Sequence, residues 1–272
     1  PAARGSRRLL NSMKTQPPMP QIRPWRSVWL RAWPHRESLR GWLFPAVVFL
    51  VGVATVAAPY FASNALAARY LETVWDPATA LDASIPAVNW MIMPYTAFYL
   101  LFPATILVAP RDDRGRAELA VGLQVLSAAT WSCVAVFLLL PAEVDLRDQL
   151  TAHWQNTPPS ALEASLFAFV HESDAPWNAW PSLHIVHSLL LVMMMTRWIR
   201  RDRGQRTLAT ALLCLLWSEW LLLCLSVLTT KQHFIFDLAS GLVVGLAFWW
   251  RLRSELARLD GRDPSAWLRP AG

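Results

Sequence analysis

Two histidines and one aspartate stand where chemistry can be built. His233 and Asp237 are four residues apart in Lys231-Gln232-His233-Phe234-Ile235-Phe236-Asp237. On a helix that spacing puts both on one face, so the carboxylate can accept a hydrogen bond from one imidazole nitrogen. The other nitrogen is then left with its lone pair, a candidate nucleophile. A second imidazole, His184, follows Trp180-Pro181-Ser182-Leu183. An imidazole titrates near neutral pH, so His184 could protonate a leaving oxygen. Pro181 and Ser182 suit a helix amino-terminus, where unpaired N–H groups favour a phosphate. Ser182 and Lys231 are therefore the candidate phosphate contacts.

The elements that must position these groups are membrane helices. The chain is 54% hydrophobic with mean hydropathy +0.29, and its apolar residues fall in long blocks. These run roughly from Leu43 to Phe61, Ile85 to Ala109, Leu119 to Leu140, Leu183 to Trp198, Leu208 to Leu228 and Phe234 to Trp250. Most approach the ~20 residues needed to cross the hydrocarbon core. The expected fold is thus all-α: a polytopic membrane protein of six transmembrane helices. A short helix is expected over Pro158 to Val170 in the long outer loop between spans three and four, capped by Ser160 with Glu163.

Net charge +6 would also suit a nucleic-acid binder, so the placement of the charge decides. Of the 25 Lys and Arg, all but Arg69, Arg147 and Lys231 fall in the amino-terminal segment, the tail and the loops of one parity. The positive-inside rule then puts both termini in the cytoplasm and both histidines at the outer ends of their spans. In a bacterium the site would face the periplasm from the inner membrane. Nucleic acid is excluded as a partner, and the basic surplus reads as topology and headgroup contact.

The chain divides into a basic, Trp-rich interfacial lead-in (1–42), a six-span catalytic domain (43–250) and a basic tail (251–272). The run Gln16 to Pro20 is expected to be a flexible lead-in, and Met13 is a candidate start. No cleavage site follows the first apolar block, which reads as an anchor. The tryptophans read mostly as interface anchors. Cys133, Cys214 and Cys224 fall inside spans and read as apolar core residues.

These residues resemble the type 2 phosphatidic acid phosphatase superfamily of membrane lipid phosphatases and phosphotransferases. Pro181, Ser182, Leu183 and His184 match its Pro-Ser-x-His motif, and Ser226, His233 and Asp237 match its serine-histidine-aspartate motif. The resemblance implies that His233 forms a phosphohistidine, that Asp237 orients it and that His184 is the general acid. No metal or other cofactor enters this scheme, and the partner is a membrane lipid phosphate, with a lipid alcohol as a second substrate in a transferase. The motif with a phosphate-clamping lysine and arginine has no counterpart, and Val227 stands where an arginine is expected. Together with Leu183 and the stretch Asp82 to Tyr95, this looks more like the inositol phosphorylceramide synthase and sphingomyelin synthase branch.

A rival assignment takes His184, His187, His233 and Asp237 as ligands of zinc or iron in an intramembrane hydrolase or oxidase. No helical His-Glu-x-x-His accompanies them. Glu219, in the fifth block, is costly in hydrocarbon and is either paired or functional. His153 and His171 read as solvated loop residues.

Overall fold

A computed structural model of the chain describes residues 25–201 and 206–268. The Pro-rich run, Met13 and the end of the tail lie outside them. Among the described residues the regular structure is helical. A short α1 (Arg26–Ala32) leads to α2 (Leu43–Tyr70), which contains a π-helical turn at Val53–Ala57. Then come α3 (Ala80–Ser84), α4 (Asn89–Val108) and α5 (Asp113–Leu139). Next are α6 (Arg147–Asn156), α7 (Ala161–Ser173), α8 (Leu183–Arg201), α9 (Arg206–Thr229) and α10 (Ile235–Ala257).

Five of these, α2, α4, α5, α9 and α10, are long and apolar enough to cross a membrane. Helix α8 spans 19 residues, but two histidines and three arginines lower its hydropathy. It tolerates them because it is the axis of the bundle: every residue from Pro181 to Val192 is buried. It packs on α4, α5, α9 and α10, so protein rather than lipid solvates its polar groups.

Small residues set how close these helices come. A Cβ on Gly241 of α10 would lie 2.9 Å from the Ser182 carbonyl oxygen, and one on Gly245 would lie 3.0 Å from Leu189 Cδ2. This Gly-x-x-x-Gly face lets α10 press against the start of α8. That contact brings the two motifs together.

At the arginine-rich end, ion pairs close the bundle. Glu118 of α5, fully buried, accepts from Arg114 and Arg197 at 3.0 Å each and from the Trp198 indole at 2.7 Å. Asp113 accepts from Arg36 at 2.7 Å, and Arg201 pairs with Asp112. Part of the lead-in packs inward here. Trp29 and Trp33 are buried, with their rings 5.9 and 5.3 Å from that of Phe44. Trp198 and Trp267 are also buried, so these four tryptophans belong to the core rather than to an interface.

The loop between α5 and α8 holds two helices. Ser160 and Glu163 form a reciprocal capping box at the start of α7. Helix α6 was not expected, because its polar sequence has no apolar stripe. Its buried anchor is Leu150.

Candidate active site

The site is built where α9 ends and α10 begins. Helix α9 stops at Thr229, and Lys231 takes a left-handed conformation (φ 60°). The N–H groups of Gln232 and His233 then turn back to the Val227 carbonyl at 3.2 and 3.0 Å. This tight reversal aims His233 at the bundle axis. Asp237, in the first turn of α10, uses Oδ2 twice, accepting from the Phe234 N–H at 2.8 Å and facing His233 Nδ1 at 3.1 Å. The carboxylate thus caps the helix and fixes the ring together.

With Nδ1–H donated to Asp237, the lone pair of His233 sits on Nε2. That atom lies 3.3 Å from Ser182 Oγ and 3.3 Å from His184 Nδ1. Ser182, His184 and His233 are all buried. The backbone N–H of Ser182 donates to the Asp237 carbonyl at 3.1 Å, so α8 and α10 are tied by main chain beside the histidines. The His184 ring packs 4.7 Å from Tyr95 and 4.6 Å from Phe98. Its buried Nε2 has no hydrogen-bond partner.

The other expected residues fall differently. Lys231 is buried, and its ammonium donates to the carbonyls of Asp82 at 2.9 Å and Ile85 at 2.6 Å. Burial lowers its pKa, and Asp82 pulls it back. Its position in the sequence suggested a phosphate contact; in the fold it fastens α3 to the His233 turn. His187 turns away, with Nε2 2.9 Å from Thr130 Oγ1. Among the described residues no three His, Cys, Asp or Glu side chains are grouped to hold a metal ion. Ser226 donates to the Leu223 carbonyl of its own helix at 2.8 Å. Glu219 is half-buried on α9 and does not line the cavity beside His184.

Sequence reasoning missed two supporting groups. Asp82 accepts from the Ile235 N–H at 2.6 Å through Oδ1, and from the N–H and hydroxyl of Thr79 at 2.8 and 2.6 Å through Oδ2. It splints the start of α10 from outside, and only the capping pattern Thr79-x-x-Asp82 hinted at it. Asp174 accepts from Tyr60 at 2.6 Å and from Asn64 at 2.7 Å. Burial raises its pKa, and the Tyr60 hydroxyl opposes the rise.

Arg147, at the start of α6, donates from Nη2 to the Asp174 carbonyl at 2.8 Å and to Gln232 Oε1 at 3.0 Å. Gln232 Nε2 in turn faces His171 Nε2 at 3.2 Å. His171 is therefore partly buried in this network rather than solvated. Burial, and then the Arg147 charge, push its pKa down to about 4. Burial also lowers the pKa of Arg147, against the pull of nearby Tyr95 and Asp174.

Fold and site together define a membrane-type helical protein with a paired-histidine centre at one end of the bundle. Residues 145–256, from α6 through nearly all of α10, match the PAP2 superfamily, whose members are phosphatases and phosphotransferases. The matched segment contains both histidines and Asp237, whereas α2, α4 and α5 lie outside it. No curated protein and no solved structure matches the chain.

Proposed function

We propose that this protein is an integral membrane lipid phosphatase or phosphotransferase that works through a histidine nucleophile. The observation that carries the reading is the line from Asp237 through His233 to His184, joined by contacts of 3.1 and 3.3 Å inside the bundle. His233 Nε2 attacks phosphorus, a P–N bond forms, and the P–O bond to the lipid breaks. His184 gives its proton to the departing alkoxide, and Asp237 stabilises the imidazolium of His233. Water or a lipid alcohol then attacks the phosphorus of the phosphohistidine and gives its own proton to His184, and the P–N bond breaks.

Ser182 supplies a hydroxyl to the phosphate. Arg147 supplies the positive charge: it is tethered through Gln232 next to His233, while the ammonium of Lys231 is occupied by two carbonyls. The burial of both histidines favours transfer to a lipid alcohol, as in the inositol phosphorylceramide synthase-like branch, because bulk water has little access.

In the membrane, α8 is a span as well, the fourth in chain order, and completes the six. The arginine-rich end with its ion pairs faces the cytoplasm with both termini, and the histidines face the periplasm of a bacterial inner membrane.

Purified enzyme incubated with a labelled phospholipid donor, with and without ceramide or diacylglycerol, tests the reading. Free phosphate marks the phosphatase, and a new phospholipid marks the transferase. Full activity of His233→Ala or His184→Ala in both assays contradicts the mechanism.

A further inference from the structure

An apolar cavity of about 230 Å3 adjoins His184, walled by α2, α4, α5 and α8. Along α8 its lining runs from Leu183 to Met194, which at ~1.5 Å per residue is a depth of about 16 Å. That is roughly half of the ~30 Å hydrocarbon core, or the depth of one leaflet. At the far end Met194 occupies the notch left by Gly122, where a Cβ would stand 2.3 Å from the Met194 sulfur.

The side of the cavity between α2 and α4 is open to the surroundings of the bundle. Phe49, Val53 and Phe61 line the cavity and are also 41%, 46% and 43% exposed. Helix α2 meets α4 mainly through its first part, Leu43–Gly52, and packs along α5 for the rest. The π-helical turn Val53–Ala57 lies on this wall, where the local widening of α2 shapes the opening.

From this geometry we infer that the cavity is a shaft for a single hydrocarbon chain of the lipid substrate, entered sideways between α2 and α4 and limited in length by Gly122 and Met194. The inference rests on the proposed phosphoryl chemistry at His233, and it narrows the substrate. The lipid carries at least one straight chain no longer than a leaflet is deep, so a long polyprenyl phosphate does not fit. A chain in the shaft brings its ester oxygen to His184, whose buried Nε2 has no hydrogen-bond partner among the described residues.

The test uses the full chain in lipid nanodiscs containing a single-chain lipid phosphate with a photoreactive diazirine at the chain terminus. Mass spectrometry of the wild type is expected to place the label on 119–126 or 190–194, the inner lining of the shaft. Gly52 lines the shaft, and a Cβ there meets only Leu123 Cδ1 at 3.3 Å. Gly52→Leu is expected to reduce the label by about tenfold or more, because a filled shaft forfeits the burial of several methylenes. Gly52→Ala keeps it.

Label confined to outward-facing residues such as Leu100, Leu107 and Leu215 overturns the shaft, even if Gly52→Leu does not fold. His233→Ala, which cannot turn over, is expected to keep the shaft label, and this separates the two claims. Shaft label without phosphate release or transfer in the wild type leaves the shaft standing and removes the catalytic reading. Release or transfer with label only on the lipid-facing side removes the shaft alone.

Discussion

Asp237 Oδ2 serves two masters within one helical turn, facing His233 Nδ1 at 3.1 Å and accepting the Phe234 N–H at 2.8 Å. The carboxylate that orients the nucleophile is also the one that starts the helix. Asp237→Asn is nearly isosteric, but its amide cannot serve as acceptor to both groups with the same charge, and it stops stabilising the imidazolium. Turnover is expected to fall by about 10²- to 10⁴-fold with little change in KM and a folded protein by circular dichroism. Steady-state kinetics on the purified variant check this.

Asp82 touches neither histidine, yet it holds the Ile235 N–H and the Thr79 cap together. Asp82→Ala takes the acceptor from the partly buried Ile235 and Thr79 donors, so about 1 kcal/mol of stability is expected to be lost, seen as a lower Tm in detergent. Because the turn that aims His233 loosens with it, kcat should fall more than KM rises.

Gly241 has no room for a side chain against the Ser182 carbonyl. Gly241→Ala is expected to separate α8 from α10, destabilise the protein by about 1–3 kcal/mol and lower turnover. Gly261→Ala, strained by its left-handed backbone (φ 72°) but with nothing within 4 Å of the new Cβ, is the control for strain without helix separation. A spectroscopic distance between labels on α8 and α10 should lengthen only in Gly241→Ala.

The histidine pair was legible in the sequence because its motifs are local: four-residue spacing in one helix, and Pro-Ser-x-His at the start of another. The supports were not. Asp82 reaches the site across 153 residues of chain, and no periodicity records such a contact; Arg147 was legible as an outer cation, but its tether to Gln232 across 85 residues was not. Lys231 reads as a phosphate contact because it is the best placed of the few outer cations; its two hydrogen bonds to α3, from a left-handed backbone, have no sign in the sequence. The packing of Trp29 and Trp33 against Phe44 was not legible either, because it depends on the tertiary fold. Helix α8 was legible as the apolar block Leu183 to Trp198, although its histidines and arginines lower its hydropathy and its neighbours rather than lipid surround it.

His171 gives a pH dependence. Its Nε2 faces the Gln232 amide as an acceptor, beside the charged Arg147, and its pKa is pushed from 6.5 to about 4. The folded state therefore binds fewer protons than the unfolded state between those values. The contribution to stability is fully present above about pH 6.5 and is lost as pH falls toward 4. Thermal unfolding of the wild type is expected to decline across that window more steeply than that of His171→Gln; parallel curves contradict the assignment.

The central claim is that His233 carries the phosphoryl group. The most direct measurement is rapid quenching of the enzyme with a lipid phosphate or phospholipid donor, followed by peptide mass spectrometry under alkaline conditions that preserve phosphohistidine. The expected result is a phosphate-bearing adduct on His233 that is absent from His233→Ala. An adduct on any other residue, or turnover with no adduct at any quench time while His233→Ala stays active, contradicts it.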